Sequence, residues 1–160
     1  MRPSSEVVLF ERELALEERE MARLLELLDD ERSVLTRHED ELLLGIAAEK
    51  SKHLASLERY AERRSRFLAD QGYSPDHTGM LEWLAAHPDC ATCAQAWGRL
   101  EHSTRAAREI NEVNGDLIAG QVQRFQRQLG FLNAMASNDP TYSPDGYSMP
   151  RAPQRTFGEA

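Results

Sequence analysis

The sequence contains no segment in which apolar and polar residues alternate with β-branched side chains, so it offers no candidate β-strand. Aromatic residues are also scarce, at 7% of the chain, and proline is absent over long stretches. Those stretches are rich in Ala, Leu, Glu, Arg and Gln, which have high helix propensity. The composition therefore predicts an all-α protein. A chain of 160 residues is long enough for one domain and short for two.

The sequence also lacks a long apolar run of the length, roughly 18 residues, that a membrane-spanning helix needs. The opening segment Met1–Glu6 leads directly into charged residues and has no apolar core of the kind found in signal peptides. We therefore expect a soluble cytoplasmic protein without direct membrane insertion.

The balance of charge is acidic, with a formal net charge of −8. Such a surface repels a phosphate backbone, and no basic stripe is large enough to offset this repulsion, so we expect no nucleic-acid partner. One local cluster of basic residues consists of Arg59, Arg63, Arg64 and Arg66. Glu58 and Glu62 interrupt it, and Glu62 is placed to pair with Arg66 one helical turn later. A solvated helix face is the preferred interpretation.

The first predicted helix runs from Ser5 to about Thr36, a segment without Gly or Pro. At 1.5 Å per residue its thirty or so residues would extend for roughly 45 Å. Its apolar residues recur on one side with heptad spacing. They are Phe10, Leu14, Met21, Leu24, Leu25, Leu28 and Leu35.

A second apolar stripe predicts a helix of similar length over residues 43–68, with Asp40 as its N-cap and Pro75 beyond its end. Two such helices joined by a short polar turn predict an antiparallel hairpin. Lys50 and Arg64 fall on this stripe. We expect their methylene groups to lie along the seam while their charges stay in water.

Two further helices follow. Thr78 is the expected cap of a short helix ending near His87, and the third and longest helix is predicted from about Cys90 to Ala136. The predicted fold is thus an elongated antiparallel helical hairpin with a short helix and a third long helix, forming a coiled-coil-like bundle.

The composition changes after residue 136, because four of the seven prolines stand in the last 24 residues. They are Pro140, Pro144, Pro150 and Pro153. Such a segment cannot build a buried core. We therefore predict a helical bundle domain over residues 1–136 and a flexible C-terminal tail over residues 137–160.

The sharpest candidate for chemistry is the Cys-x-x-Cys pair formed by Cys90 and Cys93, with His87 close by. The two cysteines cannot form a disulfide framework. A redox role normally places such a motif after a strand, and no strand is predicted. A zinc site needs a fourth ligand, and His77 and His102 stand at no recognisable ligand spacing. We therefore interpret both cysteines as packing residues or incidental thiols, and we predict no metal and no cofactor.

Enzyme activity is not expected. The carboxylates lie in mixed-charge helical surroundings, and no pair is isolated in an apolar pocket that would separate two pKa values. The sequence has no Gly-rich phosphate loop and no activated-serine elbow. Asn111 and Asn114 are interpreted as polar register markers in a coiled-coil seam.

The second half of the third helix is sharply amphipathic. For any one of its apolar residues, packing against the hairpin is the ordinary role. The predicted helix, however, has about 45 residues and would be roughly 65 Å long, which exceeds the hairpin. Part of its apolar face is therefore expected to extend beyond the hairpin and to accept an amphipathic helix.

Three segments of the sequence resemble the FlgN family of bacterial flagellar export chaperones. They are Ile46–Tyr60 with its Glu49-Lys50 pair, Asn114–Gln121 with its Asn-Gly start, and Tyr142–Gly146. They occur in the family's order and span residues 46 to 146. The chain departs from the family at Ser143-Pro144, where Gly often follows the tyrosine, and in its Cys-x-x-Cys motif.

The resemblance implies a non-enzymatic cytoplasmic chaperone for the hook–filament junction proteins, which are also called hook-associated proteins. The protein would hold their C-terminal helices and deliver them to the cytoplasmic domain of the flagellar type III export gate. The resemblance places the gate contact on Tyr142. It places the client-binding surface on Leu117, Ile118, Val122, Phe125, Leu129 and Leu132.

Two other functions stay open from the sequence. One is a generic coiled-coil adaptor or self-assembling bundle without an export role. The other is a thiol- or zinc-dependent enzyme or sensor that uses Cys90 and Cys93.

Overall fold

The computed structural model describes residues 5–138, which form four α-helices and no strand. The helices are α1 (Ser5–Arg37), α2 (Leu43–Asp70), α3 (His77–Ala86) and α4 (Ala91–Asn138). The prediction of an all-α fold with three long helices and one short helix is confirmed.

The turn between α1 and α2 differs from the prediction. His38 adopts a left-handed conformation with φ of 59°. A 3-10 turn over Asp40–Leu42 follows, with Glu39 at its N-cap position, and α2 begins only at Leu43. Asp40 is therefore not the N-cap of α2, and the cap position at Leu42 has no side-chain hydrogen bond. The reason is that Asp40 already lies inside the 3-10 turn.

Helices α1 and α2 form the predicted antiparallel hairpin. Glu13 near the start of α1 pairs with Arg63 near the end of α2, whereas Glu31 near the end of α1 pairs with Lys50 near the start of α2. The residue numbers run in opposite directions along the two helices, as an antiparallel arrangement requires.

Helix α3 is capped by Asp76 and not by Thr78 as predicted. The Asp76 carboxylate accepts a hydrogen bond of 3.0 Å from the backbone N–H of Gly79, which stabilises the first turn. Gly79 is required at this point, because a Cβ atom there would lie 1.8 Å from the carbonyl oxygen of Ser74.

An aromatic cluster holds together the start of α1, the end of α2, α3 and the start of α4. Phe10 stacks on Phe67 with ring centroids 3.9 Å apart, and each of these rings packs against Trp83 in a T-shaped arrangement. The buried residues of this cluster are Phe10, Leu14, Leu68, Met80, Trp83, Cys90, Cys93, Ala96, Trp97 and Leu100. Aromatic pairs of this kind contribute about 0.5–1.5 kcal/mol beyond the area that they bury.

A second buried cluster lies further along the bundle and consists of Leu24, Leu28, Leu57 and Ala107. It joins α1, α2 and α4. Leu54, which the sequence places on the same stripe of α2, is half exposed.

The contacts divide the chain into two compact units, Met1–Ile118 and Ala119–Ala160. The first unit contains α1, α2, α3 and the first part of α4. In the second unit the structure describes residues 119–138, which are the remainder of α4. The domain boundary after residue 136 stays a prediction.

Candidate functional site

Helix α4 carries the six residues predicted to contact a client. Leu117 and Ile118 end the first unit, and Leu117 is partly buried while Ile118 is 42% exposed. The other four lie in the second unit with exposed fractions between 43% and 61%. We call these four residues the α4 stripe: Val122, Phe125, Leu129 and Leu132.

The spacing within the α4 stripe is that of a coiled-coil seam. Successive residues stand three, four and three positions apart, which places them on one side of a helix as alternating a and d residues of a heptad. The e and g positions of the heptad, which flank the seam, are occupied by Gln126 and Gln128. These flanks are polar but uncharged, so the seam is bordered by amides that donate and accept hydrogen bonds.

The charge around the α4 stripe differs from that of the whole chain. Between Leu117 and Asn138 the only charged side chains are those of Arg124 and Arg127. A segment without acidic groups thus occurs in a protein of net charge −8. An approaching helix with acidic flanks would meet no repulsion from this segment.

Sequence reasoning missed two exposed apolar residues of the second unit, Phe131 at 66% and Met135 at 56%. They stand four positions apart and therefore share a side of the helix. Their spacing was visible in the sequence, but they do not continue the heptad of the α4 stripe. They widen the apolar surface of residues 119–138.

A buried polar group joins the three long helices of the first unit. The Lys50 ammonium donates to both carboxylate oxygens of Glu31, at 2.9 and 2.8 Å. The Asn114 amide nitrogen donates to Glu31 at 2.8 Å and to the Leu28 carbonyl at 2.9 Å. Asn114 is 1% exposed, as a register marker in the seam would be, whereas Asn111 is exposed and its predicted place in the seam is wrong.

A second ion pair lies in the same hairpin seam. Arg64 donates to Glu17 at 2.7 Å, and its guanidinium lies 5.1 Å from the centre of the Trp97 ring. Burial raises the pKa of Glu17 above 4.5, and the charge of Arg64 opposes this rise only in part. The expectation that Lys50 and Arg64 keep their charges in water is therefore wrong, because each charge meets a buried carboxylate.

A groove on the first unit is a further surface that sequence reasoning missed. Its cavity of about 590 Å³ is lined by residues of α1, α2 and α4 and by His77 of α3. Its lining includes Met21, the half-exposed Leu54, Arg105 and Arg108. Spacing along one helix cannot reveal such a groove, since all four helices contribute to it.

The two cysteines are bonded to each other, with Cα atoms 5.4 Å apart. The interpretation as incidental free thiols is thus wrong, whereas the interpretation as packing residues agrees with the burial of both cysteines in the aromatic cluster. Cys-x-x-Cys spacing across the start of a helix brings two sulfur atoms within bonding range without help from any other element. Within residues 5–138 no group of three or more His, Cys, Asp or Glu side chains is arranged to hold a metal ion.

The remaining predicted site residue, Tyr142, lies outside the described residues. Over residues 5–138 no helix has the length and apolar character needed to cross a membrane.

A family model described as FlgN protein matches residues 10–148 of the chain. The matched range contains all three segments that carry the resemblance, and it includes the whole of α2, α3 and α4.

Known proteins are similar over most of the chain. The flagella synthesis protein FlgN of Salmonella typhimurium is 29% identical over 134 residues, which cover 79% of this chain and 90% of that protein. The FlgN protein of Salmonella typhi gives the same values. A crystal structure from Pseudomonas aeruginosa, assigned as a flagella synthesis protein FlgN, matches with a TM-score of 0.64 and 25% identity. That match covers 73% of this chain and 90% of the other.

Proposed function

Since the chain belongs to the FlgN family of flagellar proteins, we propose that it is a flagellar export chaperone. Its clients are the hook–filament junction proteins, and it binds their C-terminal helices. It then delivers them to the export gate during assembly of the flagellum. It does so in the cytoplasm, as a binding protein without enzymatic activity or cofactor.

The observation that carries this proposal is the exposure of the α4 stripe. Four large apolar side chains in heptad register are between 43% and 61% exposed on one helical segment. A soluble protein gains nothing by leaving such a row in water, because each side chain of this size contributes about 1.5–3 kcal/mol when it is fully buried. A partner that covers the row recovers part of this free energy.

The geometry of the row favours a helical partner. Alternating a and d residues form the holes into which the side chains of a second helix insert. An amphipathic helix with apolar residues at the same spacing therefore complements the α4 stripe. Leu117 and Ile118, which precede it in the sequence, complete the proposed client surface.

The charge of the segment also favours an amphipathic client. Arg124 and Arg127 lie on the same segment outside the seam, and no acidic side chain lies between Leu117 and Asn138. A client helix with acidic flanking residues is attracted, while basic flanks are disfavoured. The uncharged amides of Gln126 and Gln128 leave the orientation of the client helix to be set by shape.

We propose that Tyr142 makes the contact with the export gate, because Tyr142–Gly146 resembles the family's tail segment. A tyrosine offers a large contact area together with a polar hydroxyl, which suits recognition by a larger protein.

The test is a pull-down with the full chain as bait. The prey is the C-terminal helical region of a hook–filament junction protein, and the same protein without that region is the matched control. Retention of the first and not of the second is the expected result. Equal retention of both, or of neither, would refute the proposed client contact.

A further inference from the structure

The disulfide between Cys90 and Cys93 has no place in the proposed chaperone function. The pair spans the start of α4, which begins at Ala91, and both residues belong to the aromatic cluster of the first unit. Neither residue lies in the α4 stripe or in the groove on the first unit. The pair therefore calls for an explanation of its own.

Stabilisation of the fold is a poor explanation for the disulfide. The stabilisation that a disulfide provides grows with the length of the loop that it closes, and this bond closes a loop with only two residues between the cysteines. The residues around it are also held without the bond. Trp83 is fully buried, and the backbone N–H of Cys90 donates to the carbonyl of His87 at 3.0 Å to close the turn before α4.

The two sulfur-bearing residues differ in exposure. Cys93 is fully buried within the first turn of α4, whereas Cys90 retains 8% of its surface in contact with solvent. Cys90 also has a polar neighbour, because its sulfur lies 3.9 Å from the hydroxyl of Thr92. A reagent from solvent thus reaches Cys90 before Cys93.

Thiol–disulfide exchange requires such a difference between the two cysteines. One sulfur must meet the external reagent, and the second must lie within bonding distance to resolve the mixed disulfide. The Cα separation of 5.4 Å allows the bond without movement of the backbone.

We propose that Cys90 and Cys93 form a thiol–disulfide exchange site whose substrates are low-molecular-weight disulfides such as oxidised glutathione. The Cys90 thiolate attacks one sulfur of the substrate, the substrate's S–S bond breaks, and one thiol leaves. The Cys93 thiolate then attacks the Cys90 sulfur, the mixed disulfide breaks, and the second thiol leaves. Two electrons pass from the dithiol to the substrate, and the two protons lost by the cysteines are carried by the two released thiols.

Two tryptophans of the first unit can report the redox state of the cysteine pair. Trp83 and Trp97 lie in the same buried cluster as both cysteines. Formation or reduction of the bond changes the surroundings of the two indoles. Their fluorescence is therefore expected to follow the redox state of the pair.

The experiment uses the full chain, reduced and then freed of reductant. It is incubated in buffers of defined oxidised and reduced glutathione, quenched with N-ethylmaleimide, and measured by intact mass. The expected result is a reversible loss of both reactive thiols that depends on the glutathione ratio and is matched by a change in tryptophan fluorescence. A wild-type protein that keeps two free thiols in every buffer would overturn the proposal.

Two single variants test the different roles of Cys90 and Cys93. Cys93→Ala is expected to accumulate a stable mixed disulfide at Cys90. Cys90→Ala is expected to react at least about tenfold more slowly, because the remaining sulfur is buried. Equal rates in two variants that circular dichroism shows to be folded would overturn the proposal.

If a variant fails to fold, the reactivities of Cys90 and Cys93 can be compared in the reduced wild type. Brief alkylation followed by peptide mapping should modify Cys90 well ahead of Cys93. Equal modification of the two cysteines in the folded protein would again overturn the proposal.

Discussion

Lys50 and Asn114 lie in different helices and donate hydrogen bonds to the same carboxylate, that of Glu31. Both belong to segments that resemble the FlgN family. The buried carboxylate is thus held by an ammonium from α2 and by an amide from α4. A shift of α4 along the hairpin would break the amide contact and leave buried polar groups without partners, so this group selects one register.

Replacement of Asn114 by Ala is expected to destabilise the first unit. The change removes hydrogen bonds to Glu31 and to the Leu28 carbonyl in a buried setting, where such a loss costs about 1–3 kcal/mol. Urea unfolding followed by circular dichroism measures the effect. Asn111→Ala is the matched control, since Asn111 is exposed on the same helix and its replacement should change the free energy of unfolding by about 0.5 kcal/mol or less. Equal effects of both changes would contradict the register role.

Glu17 predicts a specific dependence of stability on pH. Its pKa in the folded protein is raised by burial above 4.5, so the folded state binds the proton more tightly than the unfolded state does. The stability that this group contributes is therefore fully present below pH 4.5 and is lost as the pH rises through the raised pKa.

The measurement compares wild type with Glu17→Gln, which stays neutral at every pH. The free energy of unfolding of the wild type minus that of Glu17→Gln should fall as the pH rises from below 4.5. Glu112→Gln, at an exposed position of α4, accounts for the removal of a surface carboxylate. A difference that stays constant or increases with pH would show that burial of Glu17 does not dominate.

Phe125→Asp is expected to abolish client binding while leaving the fold intact. The ring is 61% exposed, so its replacement removes little buried area. A carboxylate in its place would lose water when an apolar helix docks, which should weaken binding by about a hundredfold or more. The affinity for the client's C-terminal helices and the melting temperature are measured together.

Gln123→Asp is the matched control for Phe125→Asp, because it introduces the same charge on the same segment at an exposed position outside the seam and its flanks. It should retain most of the affinity. If Phe125→Asp binds the client normally, the α4 stripe is not the client site, and the groove on the first unit becomes the next surface to test.

Tyr142→Ala is expected to separate the two proposed contacts. Client binding should persist, and binding to the cytoplasmic domain of the export gate should be lost. Pro140 and Pro144 restrict the chain on either side of the tyrosine and reduce the entropy that it loses on docking. Tyr147→Ala is the control within the same segment. Equal loss of both contacts, or no loss of either, would contradict a dedicated gate contact.

The helices could be predicted because their signals are local. Stretches without Pro and with helical spacing of their apolar residues place α1, α2 and α4 within a few residues of their observed ends. The caps were predicted less well. Asp76, and not Thr78, caps α3, because the first helical residue depends on how the preceding turn packs.

The candidate site was also predictable only in part. The apolar residues of the α4 stripe follow from spacing within one helix, but their exposed fractions do not. The same spacing describes Leu28, which is buried, and Phe125, which is exposed. Only the positions of the neighbouring helices distinguish the two cases.

The sequence by itself determined the helical class, the order and length of the elements and the residues that form each apolar stripe, since these depend on interactions between neighbours along the chain. The tertiary structure alone decided that Lys50 and Asn114 meet at Glu31, that Arg64 lies between Glu17 and Trp97, and which apolar residues stay exposed. Those contacts join residues far apart in the sequence. Their distances are set by the packing of whole helices, which no local pattern specifies.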